Sequence, residues 1–152
     1  MPGDSRSRRY GAAQSILFVV FAAAVLLDPG SRTIGGDPVL RVVGDLVCLI
    51  GVGLLFLAIN TLGRSVQIAP APRAARALVT HGVYRWLRHP IYTAIVLVVA
   101  GLVLRGVTPW GAILGAVIVV FLLIKARYEE TLLSARYPEY EEYRRRTRGV
   151  LY

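Results

Sequence analysis

Four apolar blocks, at residues 12–27, 39–62, 91–104 and 110–124, constrain this 152-residue chain more than any motif in it. In each block the apolar residues run together, without the polar alternation of a half-buried soluble helix. A hydrocarbon core about 30 Å thick needs roughly 20 helical residues at about 1.5 Å each. The second block meets that length. The third and fourth are short against it, and become adequate if Pro90 starts the third helix and Arg105 and Lys125 extend their heads to the interfaces. The first follows Arg6, Arg8 and Arg9 and precedes Asp28-Pro29-Gly30-Ser31, which lacks a small-x-small cleavage pattern, so it reads as a retained helix. With 55% hydrophobic and 18% charged residues, the composition excludes an ordinary soluble domain. The expectation is one all-α membrane domain over residues 1–152, with about four transmembrane helices, two of them at 12–62.

Orientation follows from the basic residues. The N-terminal arm carries 3 Lys or Arg, residues 64–88 carry 5 and residues 125–148 carry 7, while the two other connections share 3. Such residues stay on the cytoplasmic side, so both termini and the central loop are expected there. A helical extension over 125–148, bent or ended at Pro138, is expected to project into the cytoplasm with them. The net charge of +9 flanks apolar segments and forms no long basic helix. Its expected partners are therefore the headgroups of the bilayer, and not nucleic acid. Cys48, alone in an apolar block, supports neither a disulfide framework nor a cysteine metal site. Asp45, inside the second block, is expected to pair with Arg41 one turn away, near the outer interface.

The third and fourth blocks are joined by Arg105-Gly106-Val107-Thr108-Pro109, short enough to force an antiparallel hairpin. That hairpin returns Glu129-Glu130 to the depth of Arg88-His89-Pro90-Ile91-Tyr92. Each piece alone has an ordinary explanation. Arg88, His89, Trp86 and Tyr92 suit an interfacial anchor, and the glutamates suit a solvated helical face. Adjacent helical residues point about 100° apart, so one glutamate is expected to face a pocket and the other to pair outward with Arg127 or Arg136. A helix beginning at Pro90 also presents unpaired N–H groups to a carboxylate or phosphate. Together these make a cationic lip, a carboxylate and aromatic faces at the membrane edge. A ligand with an amino-acid end, a ribose and a sulfonium matches them: its carboxylate at Arg88 or the helix N-terminus, its ammonium or ribose at a glutamate, and its sulfonium or adenine at Tyr84 or Tyr92. No glycine-rich dinucleotide loop and no cluster of metal-ligand type accompanies them.

Four elements now stand in order: Leu78-Val79-x-x-Gly82-Val83-Tyr84, Arg88-His89-Pro90-x-Tyr92, Glu129-Glu130-x-x-Leu133 and Tyr137-Pro138-Glu139-Tyr140-x-x-Tyr143. In these the chain resembles the isoprenylcysteine carboxyl methyltransferase and phospholipid methyltransferase superfamily, integral membrane enzymes that use S-adenosylmethionine. The resemblance covers about residues 67–146 and implies that 63–152 is the cofactor-binding, catalytic half. It implies cofactor contacts at Gln67, Arg76, Leu78, Val79, Tyr84, Arg88, His89, Pro90, Tyr92 and Glu129, with Lys125 or Arg127 on the substrate side. The implied activity is methyl transfer from S-adenosylmethionine to a lipophilic or amphipathic carboxylate or amine, with His89, Glu130 and Arg127 as candidates for the chemistry and no metal required. A carboxylate acceptor needs no general base; an amine or hydroxyl needs one, for which Glu130 or His89 is the candidate. The tail Arg148-Gly149-Val150-Leu151-Tyr152 lacks the proline frequent in the family, and four spans are fewer than the eukaryotic carboxyl methyltransferases have.

Two other readings compete. One is a membrane NAD(P)H-dependent reductase of the sterol-reductase-like type, which shares an Arg-His-Pro-x-Tyr motif but has Asn where Ile91 stands. The other is a non-enzymatic four-helix transporter or assembly protein, resting on Asp45. A single lysine among 18 Lys and Arg residues points to a GC-rich bacterial genome. The expected location is then the inner membrane, with the active site facing the cytoplasm. Nothing in the residues sets the oligomeric state.

Overall fold

The computed structural model describes residues 2–27, 37–63 and 78–150. Five α-helices account for most of them: α1 (Pro2–Leu26), α2 (Pro38–Leu62), α3 (Pro90–Arg105), α4 (Pro109–Arg136) and α5 (Tyr140–Arg146). Helix α1 begins at Pro2, so the basic arm is part of the helix, and no proline follows before Pro29. Asp37 caps α2 by accepting from Val39 N at 2.8 Å and Leu40 N at 3.4 Å. Thr108 caps α4, its hydroxyl accepting from Gly111 N at 3.2 Å. Pro38, Pro90 and Pro109 each occupy a first helical position, where the missing N–H costs nothing. Beyond Arg136 the chain turns at Pro138 and resumes as α5, so the extension is two helical pieces.

Segments Arg9–Leu26, Pro38–Leu62 and Pro109–Arg136 are long and apolar enough to cross a membrane, and Pro90–Arg105 is a shorter apolar helix. At about 1.5 Å per residue α3 measures roughly 24 Å, a little under the hydrocarbon thickness. The protein is an all-α membrane protein. Helix α2 packs on α3, α3 on α4, and α4 on α1. Gly106, at φ 112°, turns the chain between α3 and α4.

The α2–α3 contact is built on small residues. A Cβ placed at Gly44 would lie 2.5 Å from Gly101 O, and one at Gly51 would lie 2.9 Å from Ala94 O. One at Gly101 would lie 2.5 Å from Cys48 Sγ. Removing side-chain bulk lets the backbones touch, which is how helices adhere where lipid provides no hydrophobic drive. At the end of this contact Asp45 meets Arg105 at 3.2 Å, and not Arg41, because the close approach brings the last turn of α3 within reach. The pair is half exposed. The main apolar cluster lies on the other side of α3, where Tyr92 and Val99 meet Ile118, Leu122 and Ala126 of α4, Phe21 of α1 and Val150.

Candidate active site

The site forms where α3 begins. A 3-10 turn at Gly82–Arg85 rests on the end of α2: Gly82 has φ 58°, and a Cβ there would lie 2.7 Å from Thr61. Trp86 is exposed, with the Arg85 guanidinium 4.5 Å above its ring. Arg88 and His89 then turn inward and are buried, and Pro90 starts α3.

Arg88 and Glu130 form a clamp. The guanidinium donates from Nε to Glu130 Oε1 at 2.8 Å, and from Nη1 to the carbonyls of Arg144, at 3.1 Å, and of Thr147. Its backbone N–H donates to Arg148 O at 2.7 Å, and Arg148 N–H donates to Trp86 O at 3.0 Å. These bonds make a parallel bridge that ties residues 147–150 against the start of α3. Glu130 thus pairs inward, correcting the expectation that one glutamate turns out toward Arg127 or Arg136. The α3 N-terminus lies beside α4, so both carboxylates reach it despite their angular separation on the helix. A buried arginine needs such partners for each donor it brings out of water.

Glu129 has a different environment. Its Oε1 accepts from the Tyr92 hydroxyl at 2.6 Å, and its Oε2 lies 3.7 Å from His89 Nδ1. The side chain remains 17% exposed, about twice as open as that of Glu130. His89 stacks on Tyr92 with centroids 5.4 Å apart and planes 6° from parallel. Its Nε2 lies 3.4 Å from Glu130 Oε1 without the alignment of a hydrogen bond, and has no other such partner among the described residues. The histidine therefore stands between the two carboxylates. Lys125 is only 1% exposed, with its ammonium 4.0 Å from Glu129 Oε1, 5.2 Å from the centre of the Tyr92 ring, and hydrogen-bonded to Gln14 Oε1.

A second layer supports this cluster from α5 and the 3-10 turn. The Tyr143 hydroxyl donates to Tyr84 O at 2.7 Å. Burial pushes the Tyr143 phenol up to about 12, and burial together with Tyr143 and Glu129 pushes Tyr84 further up, so both stay neutral. Tyr140 is fully buried against Tyr143, and its hydroxyl has no hydrogen-bond partner among the described residues.

Of the residues singled out in the sequence, Arg88, His89, Pro90, Tyr92, Lys125, Glu129 and Glu130 come together, with Tyr84 behind them. Leu78 and Val79 are half-buried in the coil before the 3-10 turn, and Arg127 is exposed on α4. Gln67 and Arg76 lie outside the described residues. Sequence reasoning missed Gln14, and a signal existed: it is the polar member of the stripe Tyr10, Gln14, Leu17, Phe21, Val25, which is otherwise apolar or aromatic at helical spacing. Among the described residues no group of three or more His, Cys, Asp or Glu side chains is placed to hold a metal ion.

Residues 39–140 match the phospholipid methyltransferase family. The chain is 34% identical over 135 residues to the cobalt-zinc-cadmium resistance protein CzcN of Cupriavidus metallidurans, a match covering 85% of this chain and 57% of the relative. It is 33% identical over 102 residues to the nickel-cobalt-cadmium resistance protein NccN of Alcaligenes xylosoxydans xylosoxydans, covering 65% of this chain and 47% of the relative. The chain spans about half the length of these curated relatives. The family match runs from the first turn of α2 to Tyr140 and contains both the α3 N-terminus and the glutamate pair: the chain belongs to the phospholipid methyltransferase family.

Proposed function

We propose that the protein is an S-adenosylmethionine-dependent methyltransferase acting on a lipophilic or amphipathic acceptor at the cytoplasmic face of the bacterial inner membrane. The observation that carries this reading is the setting of Glu129. It is a partly open carboxylate, oriented by Tyr92 and His89 at the mouth of a helix N-terminus. A carboxylate beside stacked rings suits a cation, and a helix N-terminus suits a carboxylate, so the donor set fits a molecule carrying both. When bound, S-adenosylmethionine supplies a methyl group activated by its sulfonium. Glu129, Tyr92, His89 and the first-turn backbone N–H groups that follow Pro90 are proposed to hold it, with Tyr84, Leu78, Val79, Gln67 and Arg76 around them. Arg88 supports them through Glu130 and the carbonyls of 144 and 147. The chain's own work is to position two reactants and exclude water.

The acceptor enters from the lipid, and the exposed Arg127 is proposed to meet its polar end. A carboxylate acceptor is nucleophilic as it stands. For an amine, His89 is the candidate base, and Glu129 and Glu130, at 3.7 and 3.4 Å from its two ring nitrogens, would stabilise the imidazolium. The cytoplasmic orientation rests on the basic residues that crowd this end, Arg85, Arg88 and those of 125–148, against Arg41 and Arg105 at the other among the described residues. Asp45, exposed and paired, gives little support to a transporter. Equilibrium binding of methyl-labelled S-adenosylmethionine to the detergent-purified chain tests the proposal. Saturable binding that is lost in Glu129→Ala with His89→Ala is expected. Binding of NADPH without binding of S-adenosylmethionine would overturn the reading in favour of a reductase.

A further inference from the structure

Arg85 and Trp86 belong to the run that builds the site, yet they take no part in it. Trp86 is 64% exposed, and the Arg85 guanidinium stacks 4.5 Å above its ring. The surface beneath them fixes their depth. The 3-10 turn Gly82–Arg85 rests on Thr61 at the end of α2, and Phe56, Leu57 and Ile59 just before it are exposed. On a membrane helix such a face belongs in hydrocarbon. Asn60 and Thr61 then turn their polar groups back onto Phe56 O, at 2.9 Å, and Leu57 O, at 2.8 Å, which suits the edge of that region. Arg85 and Trp86 therefore stand just beyond the last lipid-facing turn of α2. That is the headgroup level, where tryptophan and arginine are favoured.

Charge makes this surface selective. Arg148 joins it through the backbone, its N–H donating to Trp86 O at 3.0 Å, with its side chain exposed. On α5, Arg144 and Arg146 are paired with Glu141 at 3.6 Å and Glu142 at 3.4 Å. Arg85 and Arg148 have no such carboxylate partner among the described residues. A guanidinium stacked on an indole keeps its edge N–H donors turned outward, where they match phosphate oxygens. We infer that Arg85, Trp86 and Arg148 form a docking surface for the headgroup of an anionic phospholipid, with the indole at the acyl boundary and the guanidiniums toward the phosphate. A zwitterionic headgroup carries its own cation, which the same guanidiniums repel, so the surface discriminates between the two. The inference does not depend on S-adenosylmethionine binding; it places an anionic lipid beside the first turn of α3.

The test is fluorescence quenching of Trp86 in the full chain carrying Trp110→Phe, which leaves Trp86 the sole tryptophan. The protein is reconstituted in phosphatidylcholine vesicles in which the same minor share of lipid is either brominated phosphatidylglycerol or brominated phosphatidylcholine, the bromines close to the headgroup. Apparent affinity for the phosphatidylglycerol is expected to be higher by about fivefold or more, the factor that one arginine near the surface contributes. Arg85→Gln with Arg148→Gln is expected to bring the two lipids within about twofold of each other, and added salt to narrow the preference by screening. Arg146→Gln, at an arginine already paired with Glu142, is the control and keeps the preference. Equal quenching by the two lipids in the Trp110→Phe protein would overturn the inference, as would a preference that survives the double change or falls equally in the control. Weak quenching by both lipids would also overturn it, placing Trp86 in water or against another protein. So would displacement by inorganic phosphate at constant ionic strength, which would assign the surface to a soluble anion.

Discussion

Helix α3 is held on one side by an absence of side chains and at its first turn by a concentration of charge. Along α2 the contact is Gly44, Cys48 and Gly51 against Gly101, Val98 and Ala94, backbone close to backbone. Toward α4 and α1 it is Arg88, His89 and Tyr92 against Lys125, Glu129, Glu130 and, through Lys125, Gln14. The first contact has almost no chemistry and tolerates almost no change in volume. The second is packed less closely and every member is polar, titratable or aromatic. The rigid small-residue contact fixes where α3 starts, and the charged contact uses that fixed start to aim a carboxylate. Close backbone packing and the proposed site thus fall on opposite sides of one helix.

The comparison can be broken most severely at the glycines. Gly101→Leu places a side chain where Cys48 Sγ and Gly44 O lie at 2.5 and 2.6 Å, so loss of the folded species on size-exclusion chromatography is expected, beyond about 4 kcal/mol. Arg88→Ala comes next. It strands the buried Glu130 and two carbonyls, and is expected to cost about 3–5 kcal/mol and to release amide protection across residues 140–150 in hydrogen exchange. Arg88→Lys should recover only part of this, since an ammonium cannot serve both directions at once.

Glu129→Gln should divide the two contacts cleanly. The fold is expected to survive, while S-adenosylmethionine binding weakens by roughly tenfold to a hundredfold as the charge is lost. A variant that binds normally would move the site away from Glu129. Asp45→Asn should change stability by no more than about 1 kcal/mol and leave binding intact, because the pair with Arg105 is half exposed. A further effect is confined to alkaline pH. Tyr143 ionises at about 12 in the folded protein against an ordinary 10.0, so its contribution is complete below about pH 10 and is lost as pH rises through 12. Tyr143→Phe should flatten that part of an alkaline unfolding profile.

Much of the candidate site was legible in the sequence, for a geometric reason. The five-residue link 105–109 between two apolar blocks leaves only an antiparallel hairpin, and a hairpin equalises depth, so Arg88–Tyr92 and Lys125–Glu130 had to meet. What the reading could not supply was rotation. It turned one glutamate outward, whereas Glu130 points in, and it paired Asp45 with Arg41, whereas Arg105 reaches it from the next helix. Gln14 was passed over because its partner lies 111 residues away, on a helix that no local spacing links to α1.

The sequence by itself determined the number, order and apolar extent of the helices, and which residues share a membrane depth. Block length against bilayer thickness and basic residues against membrane polarity are one-dimensional constraints that one chain suffices to state. Only the tertiary structure decided which carboxylate clamps Arg88, which stays open, and that α1 reaches the site through Gln14 and Lys125. Those outcomes depend on helix rotation and on ångström differences in reach. The strength of a buried charge contact changes steeply over such distances, whereas hydrophobic patterning hardly registers them.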